Sequence, residues 1–157
     1  MDLWFDIGYL DVERLLREWR WLCPDRMTLV ARSAFGDLFL CNASGIVFKL
    51  DVAIGKLTKI AGCEDEFREL SETQEKQEEW FAKSDELTAE ERGLIPSSLQ
   101  CIGFETPLAF KSPEGAPPNK PYIADIYEYV SFLGDLNRQI SDLPNGSTVR
   151  LKVNDAE

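Results

Sequence analysis

Three closely spaced turn signals between residues 28 and 60 constrain this chain more than anything else in it. They are Gly36-Asp37, Asn42-Ala43-Ser44-Gly45 and Gly55. They divide the stretch into segments 28–35, 38–41, 46–51 and 56–60, each short and rich in Val, Ile, Leu and Phe. Short connections of this kind join antiparallel neighbours, because a parallel crossover needs a dozen residues or more. The segments therefore read as a four-stranded β-meander. In the third, Ile46, Phe48 and Leu50 alternate with Val47, Lys49 and Asp51. That alternation predicts one buried sheet face.

The cover for that face is sought on either side. Asp11 is a good helix N-cap, and Val12, Leu15, Leu16, Trp19, Leu22 and Cys23 follow at helical spacing until Pro24 stops the run. Arg14, Arg17, Glu18 and Arg20 point away from that stripe. Residues 63–92 read as a mostly charged helical stretch with Phe67, Leu70, Trp80 and Phe81 as its apolar contacts. Within it, Thr88 and Glu91 are spaced as a capping box for a short last helix. A strand is expected at 99–104, then a stiff loop at 111–121 with Pro113, Pro117, Pro118 and Pro121. An extended piece at 122–125 leads into a final helix at about 127–142, with Tyr129, Phe132, Leu133, Leu136, Ile140 and Leu143 as its core face. Pro144-Asn145-Gly146 ends that helix, and residues 149–153 have the character of a terminal strand. The expected class is α+β: an antiparallel meander covered by amphipathic helices, with an acidic helical segment, in a single domain over residues 1–157.

Charge is the second constraint. The chain carries 17 basic and 28 acidic residues, a net −11. Residues 63–92 hold twelve of the acids (Glu64, Asp65, Glu66, Glu69, Glu72, Glu75, Glu78, Glu79, Asp85, Glu86, Glu90, Glu91) against Arg68, Lys76, Lys83 and Arg92, a net −8. Such a surface is repelled by nucleic acid and anionic lipid and attracts basic partners. No apolar run approaches the ~18 residues of a membrane span, and the opening Met-Asp-Leu-Trp-Phe-Asp lacks the basic and apolar regions of a secretory signal. A cytoplasmic location is expected. Cys23, Cys41, Cys63 and Cys101 fall one per segment, without metal-ligand spacing and without histidine. They read as reduced core residues, and no metal or cofactor is expected.

Little in the chain points to catalysis. A cysteine nucleophile would have no histidine to activate it, and there is no phosphate-cradling glycine loop and no Gly-x-Ser-x-Gly elbow. Glutamates along a helix are most simply a solvated face. The candidates are therefore contact residues: Glu72, Glu75, Glu78, Glu79, Asp85 and Glu86 in the acidic segment, Phe110 in the 106–121 loop, and Trp21. Trp21 lies opposite the apolar stripe of the first helix, either covering the sheet edge or standing out as a partner anchor. Trp4, Phe5 and Tyr9 are expected to pack down as an N-terminal cover. Asp37 is expected to cap its turn.

Several of these pieces in order resemble a known family. They are Glu18-Trp-Arg-Trp-Leu22, Ala34-Phe-Gly-Asp-Leu-Phe-Leu40, Gly45-Ile-Val-Phe-Lys-Leu-Asp51, Gly55-Lys-Leu-Thr-Lys-Ile60, Asp65-Glu-Phe67, Glu79-Trp80, Cys101-Ile-Gly-Phe104 and Leu133-Gly-Asp-Leu-Asn-Arg-Gln-Ile-Ser-Asp-Leu-Pro144. Over residues 11–148 the set resembles the C-terminal domain of the Tdi-type immunity proteins of bacterial type VI secretion systems, a domain often found alone or after a GAD-like domain. Residues 1–10 are too short to be that preceding domain. Where relatives tend to carry a glycine-rich turn, this chain has Thr106-Pro-Leu-Ala-Phe-Lys111. The resemblance implies an inhibitor of a co-encoded antibacterial toxin used in interbacterial competition, and the acidic block suits a toxin of a nuclease or NAD-hydrolysing class, whose cleft for phosphates is positive. The alternative is an acidic intracellular adaptor or regulator with no toxin partner.

Overall fold

The computed structural model describes residues 3–110 and 114–143. Four strands, β1 (Thr28–Arg32), β2 (Leu38–Cys41), β3 (Val47–Asp51) and β4 (Lys56–Ala61), pair antiparallel in chain order. Their turns form where the sequence supplies the chemistry. Gly36 and Gly45 take positive φ, and the Asn42 side chain accepts hydrogen bonds from the Ser44 and Ile46 amides at 3.0 Å each. The Asp51 carboxylate does the same for Ala53 and Ile54. Ser33, not Asp37, caps the first turn, its Oγ accepting from the Phe35 and Asp37 amides; the Asp37 Oδ1 instead accepts from the Val52 amide at 3.1 Å and ties the first turn to the third.

Both faces of this sheet are buried, not one. Leu38, Leu40 and Leu50 belong to one apolar cluster, and Phe39, Val47 and Ala61 to another. The uniformly apolar Leu38-Phe-Leu-Cys41 already contains the reason, since successive residues of a strand face opposite sides. The first face is covered by α1 (Val12–Leu16), a 3-10 turn at Arg17–Trp19 and the long α5 (Ile126–Ile140). Helices α2 (Glu64–Leu70) and α3 (Gln74–Phe81) cover the second with Phe67, Trp80 and Phe81. Trp4 and Phe5, in a 3-10 turn at Leu3–Phe5, join that second cluster, whereas Tyr9 is exposed.

Close approach fixes α5. The Trp19 indole N–H donates to the Val130 carbonyl at 2.9 Å, and the Trp21 indole is shared between the carbonyls of Glu18 (3.1 Å) and Gly134 (3.2 Å). Trp21 is thus half-buried against α5 and stacked on Trp19, neither at the sheet edge nor free in solvent. A Cβ on Gly134 would lie 2.7 Å from the Glu18 carbonyl oxygen, so only glycine lets α5 come this near. Asn137, buried one turn further on, donates to the carbonyls of Val52 and Leu133.

Other boundaries differ from expectation. The first helix tightens into 3-10 geometry after Leu16 instead of continuing to Cys23. Phe132 and Leu143 are exposed, because the buried stripe of α5 runs through Ile126, Tyr129, Val130, Leu133 and Leu136 and leaves Phe132 off its edge. Thr88 does not start a helix. It lies inside α4 (Lys83–Glu91), its hydroxyl donating to the Ser84 carbonyl. Helix α4 starts earlier because Ala82 adopts a left-handed conformation that ends α3, and the Glu78 carboxylate then accepts from the Ser84 amide and hydroxyl. Cys23 and Cys101 are buried, but Cys63 is exposed; all four thiols are free. Part of the proline loop at 111–113, the Pro144-Asn145-Gly146 stop and the strand expected at 149–153 lie outside the described residues.

A second hairpin, β5 (Gln100–Phe104) with β6 (Pro121–Asp125), sits beyond the end of β1. It is held by the Ile102 amide donating to the Ala34 carbonyl at 2.8 Å, and by Arg32. That side chain is fully buried. Its three donors go to backbone carbonyls, those of Ser33 (3.0 Å), Ser98 (3.0 Å) and Gln100 (2.6 Å). Replacing Arg32 with Met should cost about 3 kcal/mol in urea unfolding, since one buried and two half-buried carbonyls lose their donors together. Gly134→Ala should cost about 1–3 kcal/mol despite alanine's better helix propensity, because the new methyl meets fixed backbone.

Candidate protein-interaction surface

The acidic segment is built outward from an aromatic layer. Phe39 of β2 meets Phe67 and Phe81 at ring-centroid distances of 5.3 and 4.7 Å, and Phe67 stacks on Trp80 at 5.3 Å. In α3 the inward positions are Gln77, Trp80 and Phe81. Helical geometry then sends Glu75, Glu78 and Glu79, themselves spaced i, i+3 and i+4, to the opposite side. Glu72 is exposed in the turn between α2 and α3, and Asp85 is exposed on α4. Of the twelve acids in residues 63–92, eleven are exposed. Glu86 is the half-buried one, accepting the Trp4 indole N–H at 2.8 Å.

Some of this charge has local work. Glu64, Asp65 and Glu66 occupy the first turn of α2, where the helix dipole favours anions, and Glu66 accepts the Gly62 amide at 2.6 Å. Glu79 pairs with Lys76 at 3.0 Å. Glu78 is committed to capping α4. Glu72, Glu75 and Asp85 remain as exposed carboxylates on the outer side of the layer.

The eight expected contact residues divide into two groups. Glu72, Glu75, Glu78, Glu79, Asp85 and Glu86 share one side of the sheet. Trp21 and Phe110 pack against the other apolar cluster, across the sheet from the acidic helices. The 106–121 loop does approach the acidic segment, because Leu108 lines a hollow with Ala82 and Asp85.

That hollow has a volume of about 260 Å³ and is walled by Phe35, Phe104, Tyr129 and Leu133, with Asp37, Lys49 and Asp51 among its polar groups. Burial pushes the Asp37 carboxyl up to about 7, and repulsion from Asp51 adds to it; Lys49 and the Val52 and Ser33 hydrogen bonds act the other way. A second depression, about 370 Å³, lies between the Leu3–Phe5 turn and α4. Its walls include Leu87 and Ile95, 48% and 65% exposed. Sequence reading missed both, since a lone leucine on a charged helix and an Ile-Pro pair after a glycine carry no periodic signal.

The two buried thiols offer little chemistry. Burial pushes Cys23 to about 11 and Cys101 to about 12, so both stay protonated near neutral pH and are poor nucleophiles. Among the described residues no cluster of three or more Cys, Asp or Glu is arranged to hold a metal ion, and no helix is long and apolar enough to cross a membrane. Comparison with protein-family models, curated proteins and solved structures found no match.

The Asp37 environment has a consequence for stability. A carboxyl whose folded value lies above its unfolded one is disfavoured when ionised. Its contribution therefore declines as pH rises from the ordinary carboxylate range near ~4 to about 7, and is level beyond. Asp37→Asn keeps an oxygen for the Val52 amide and removes the titration. The variant's unfolding free energy should gain on that of the unaltered protein between pH 5 and 7; a constant difference between the two across that interval would refute the assignment.

Proposed function

We propose that this protein is an immunity protein that binds and neutralises a cognate antibacterial toxin of a type VI secretion system by binding, not by catalysis. The observation that carries the proposal is the concentration of −8 of the −11 net charge in residues 63–92, with eleven of twelve carboxylate side chains exposed and α2 and α3 seated on a packed aromatic layer. The ordered sequence resemblance to Tdi-type immunity domains supports the same reading. A toxin that cuts nucleic acid or hydrolyses NAD needs a positive cleft for phosphates. An acidic helical face placed over that cleft competes directly with its substrate.

Division of labour follows from magnitudes. Exposed ion pairs contribute only about 0–1 kcal/mol each, so the glutamates act chiefly on association. A single-signed face raises on-rates by roughly 10- to 1,000-fold at low salt. Affinity comes from apolar and aromatic side chains that become fully desolvated. The structure refines the choice of charges to test: Glu72, Glu75 and Glu79 are preferred to Glu78, whose removal would also uncap α4.

The test is co-expression with the product of the neighbouring gene. Cells making that product alone should stop growing, and cells also making this chain should recover. The triple variant Glu72→Lys, Glu75→Lys, Glu79→Lys should associate at least about tenfold more slowly at low ionic strength, with the difference shrinking as salt is added. Absence of protection would remove the toxin reading, and unchanged association kinetics would remove the acidic face from the mechanism.

A further inference from the structure

We propose that the trough between the Leu3–Phe5 turn and α4 is the anchoring site for a basic protein partner. It receives a segment presenting one or two large apolar side chains flanked by lysine or arginine. Leu87 and Ile95 stand exposed, and Leu3, Trp4, Leu94 and Pro96 continue the apolar lining. The volume of about 370 Å³ falls in the range of sites that bury compact apolar groups.

The walls are held in place before any partner arrives. Trp4 stacks on Phe81 with centroids 4.2 Å apart, and its indole N–H is fixed by Glu86. On the other wall, Gly93 takes a positive φ at the end of α4. The Gly93 amide donates to Glu90 and the Leu94 amide to Ala89, both at 2.9 Å, which folds Leu94 and Ile95 back beside the helix. A preformed apolar trough needs little ordering on binding, which is the condition for a hot spot.

Charge selects the occupant. Glu86 and Glu90 share the α4 wall with Lys83, within a segment of net −8. A second copy of this chain would bring the same negative field and be repelled, as would an anionic lipid surface. A basic segment satisfies both the apolar lining and the acidic rim. The inference rests on the proposed reading only in taking the partner to be basic. It does not require the partner to be a toxin.

The experiment uses the full chain and synthetic probes. A short fluorescent peptide of lysine with two leucines spaced four apart is titrated by anisotropy, beside a peptide with serine for leucine and one with glutamate for lysine. The leucine–lysine peptide should bind, and the double variant Leu87→Ser, Ile95→Ser should weaken it at least about tenfold. Both changed residues are exposed, so the fold should survive, with an unchanged melting temperature as the check. Phe132→Ser, an exposed apolar residue elsewhere, should have no effect. Equal binding by the double variant, or a serine–lysine peptide as tight as the leucine–lysine one, would overturn the proposal. Because no toxin is used, failure here leaves the co-expression result standing, and failure there leaves the trough standing with a different basic partner.

Discussion

The buried guanidinium of Arg32 ties the meander to the β5–β6 hairpin beside the apolar core that the two share. It sits at the end of β1, where the meander stops and the β5–β6 hairpin begins. Its three hydrogen bonds end on carbonyls from both sides of that junction. A buried charge would ordinarily be costly, and burial does lower its pKa, to about 10. It remains protonated near neutral pH because the carbonyls replace its hydration and the fields of Glu86 and Asp6 favour the cation. Glu86 belongs to α4 and also holds Trp4. The acidic helices therefore help to stabilise the charge that joins the two sheets, and part of their negative charge has a structural role before any partner is considered.

The meander is filled differently on its two sides. On the α5 side, contact is set by backbone-level proximity: Gly134 against Glu18, two indoles donating to main-chain carbonyls, and Asn137 reaching the β3–β4 turn. A surface built that way tolerates little change. On the other side, aromatic rings do the filling, and the two short helices α2 and α3 lie over them with carboxylates outward. Ring packing fixes the helices' inner faces only. Their outer faces can vary without touching the core, which suits a surface whose chemistry must match one partner.

Much of this was legible in the sequence. The three glycine-containing turns set the meander, and the strands at 28–32, 38–41 and 56–61 follow from them. The apolar repeat over residues 12–23 found the first cover helix, though it overran its end, and the charge count located the acidic face. What escaped notice has physical reasons. Arginine is nearly always solvated, so no pattern marks Arg32 as internal. The second buried face was hidden by reading β3 alone, where Lys49 and Asp51 suggest solvent, while β2 is apolar on both sides. The left-handed Ala82 has no glycine signal, so the break between α3 and α4 was invisible, and a capping box was read at Thr88 instead.

The same break explains why the acidic segment comes with an apolar trough beside it. Had α3 continued through Ala82, the carboxylates would lie along one rod with nothing apolar near their outer side. The turn at Ala82 instead sends α4 on in a new direction, where Ala89 packs with Ala34 and Ile102. Leu87, two residues earlier, is then left facing out beside Ile95. Burying Ala89 takes little helix surface, since its side chain is a methyl group. The rest of α4 stays free to present both charge and an apolar edge. A conformation that costs an alanine about 1–2 kcal/mol is thus placed where it creates an outward-facing apolar contact within a field that draws basic partners toward it.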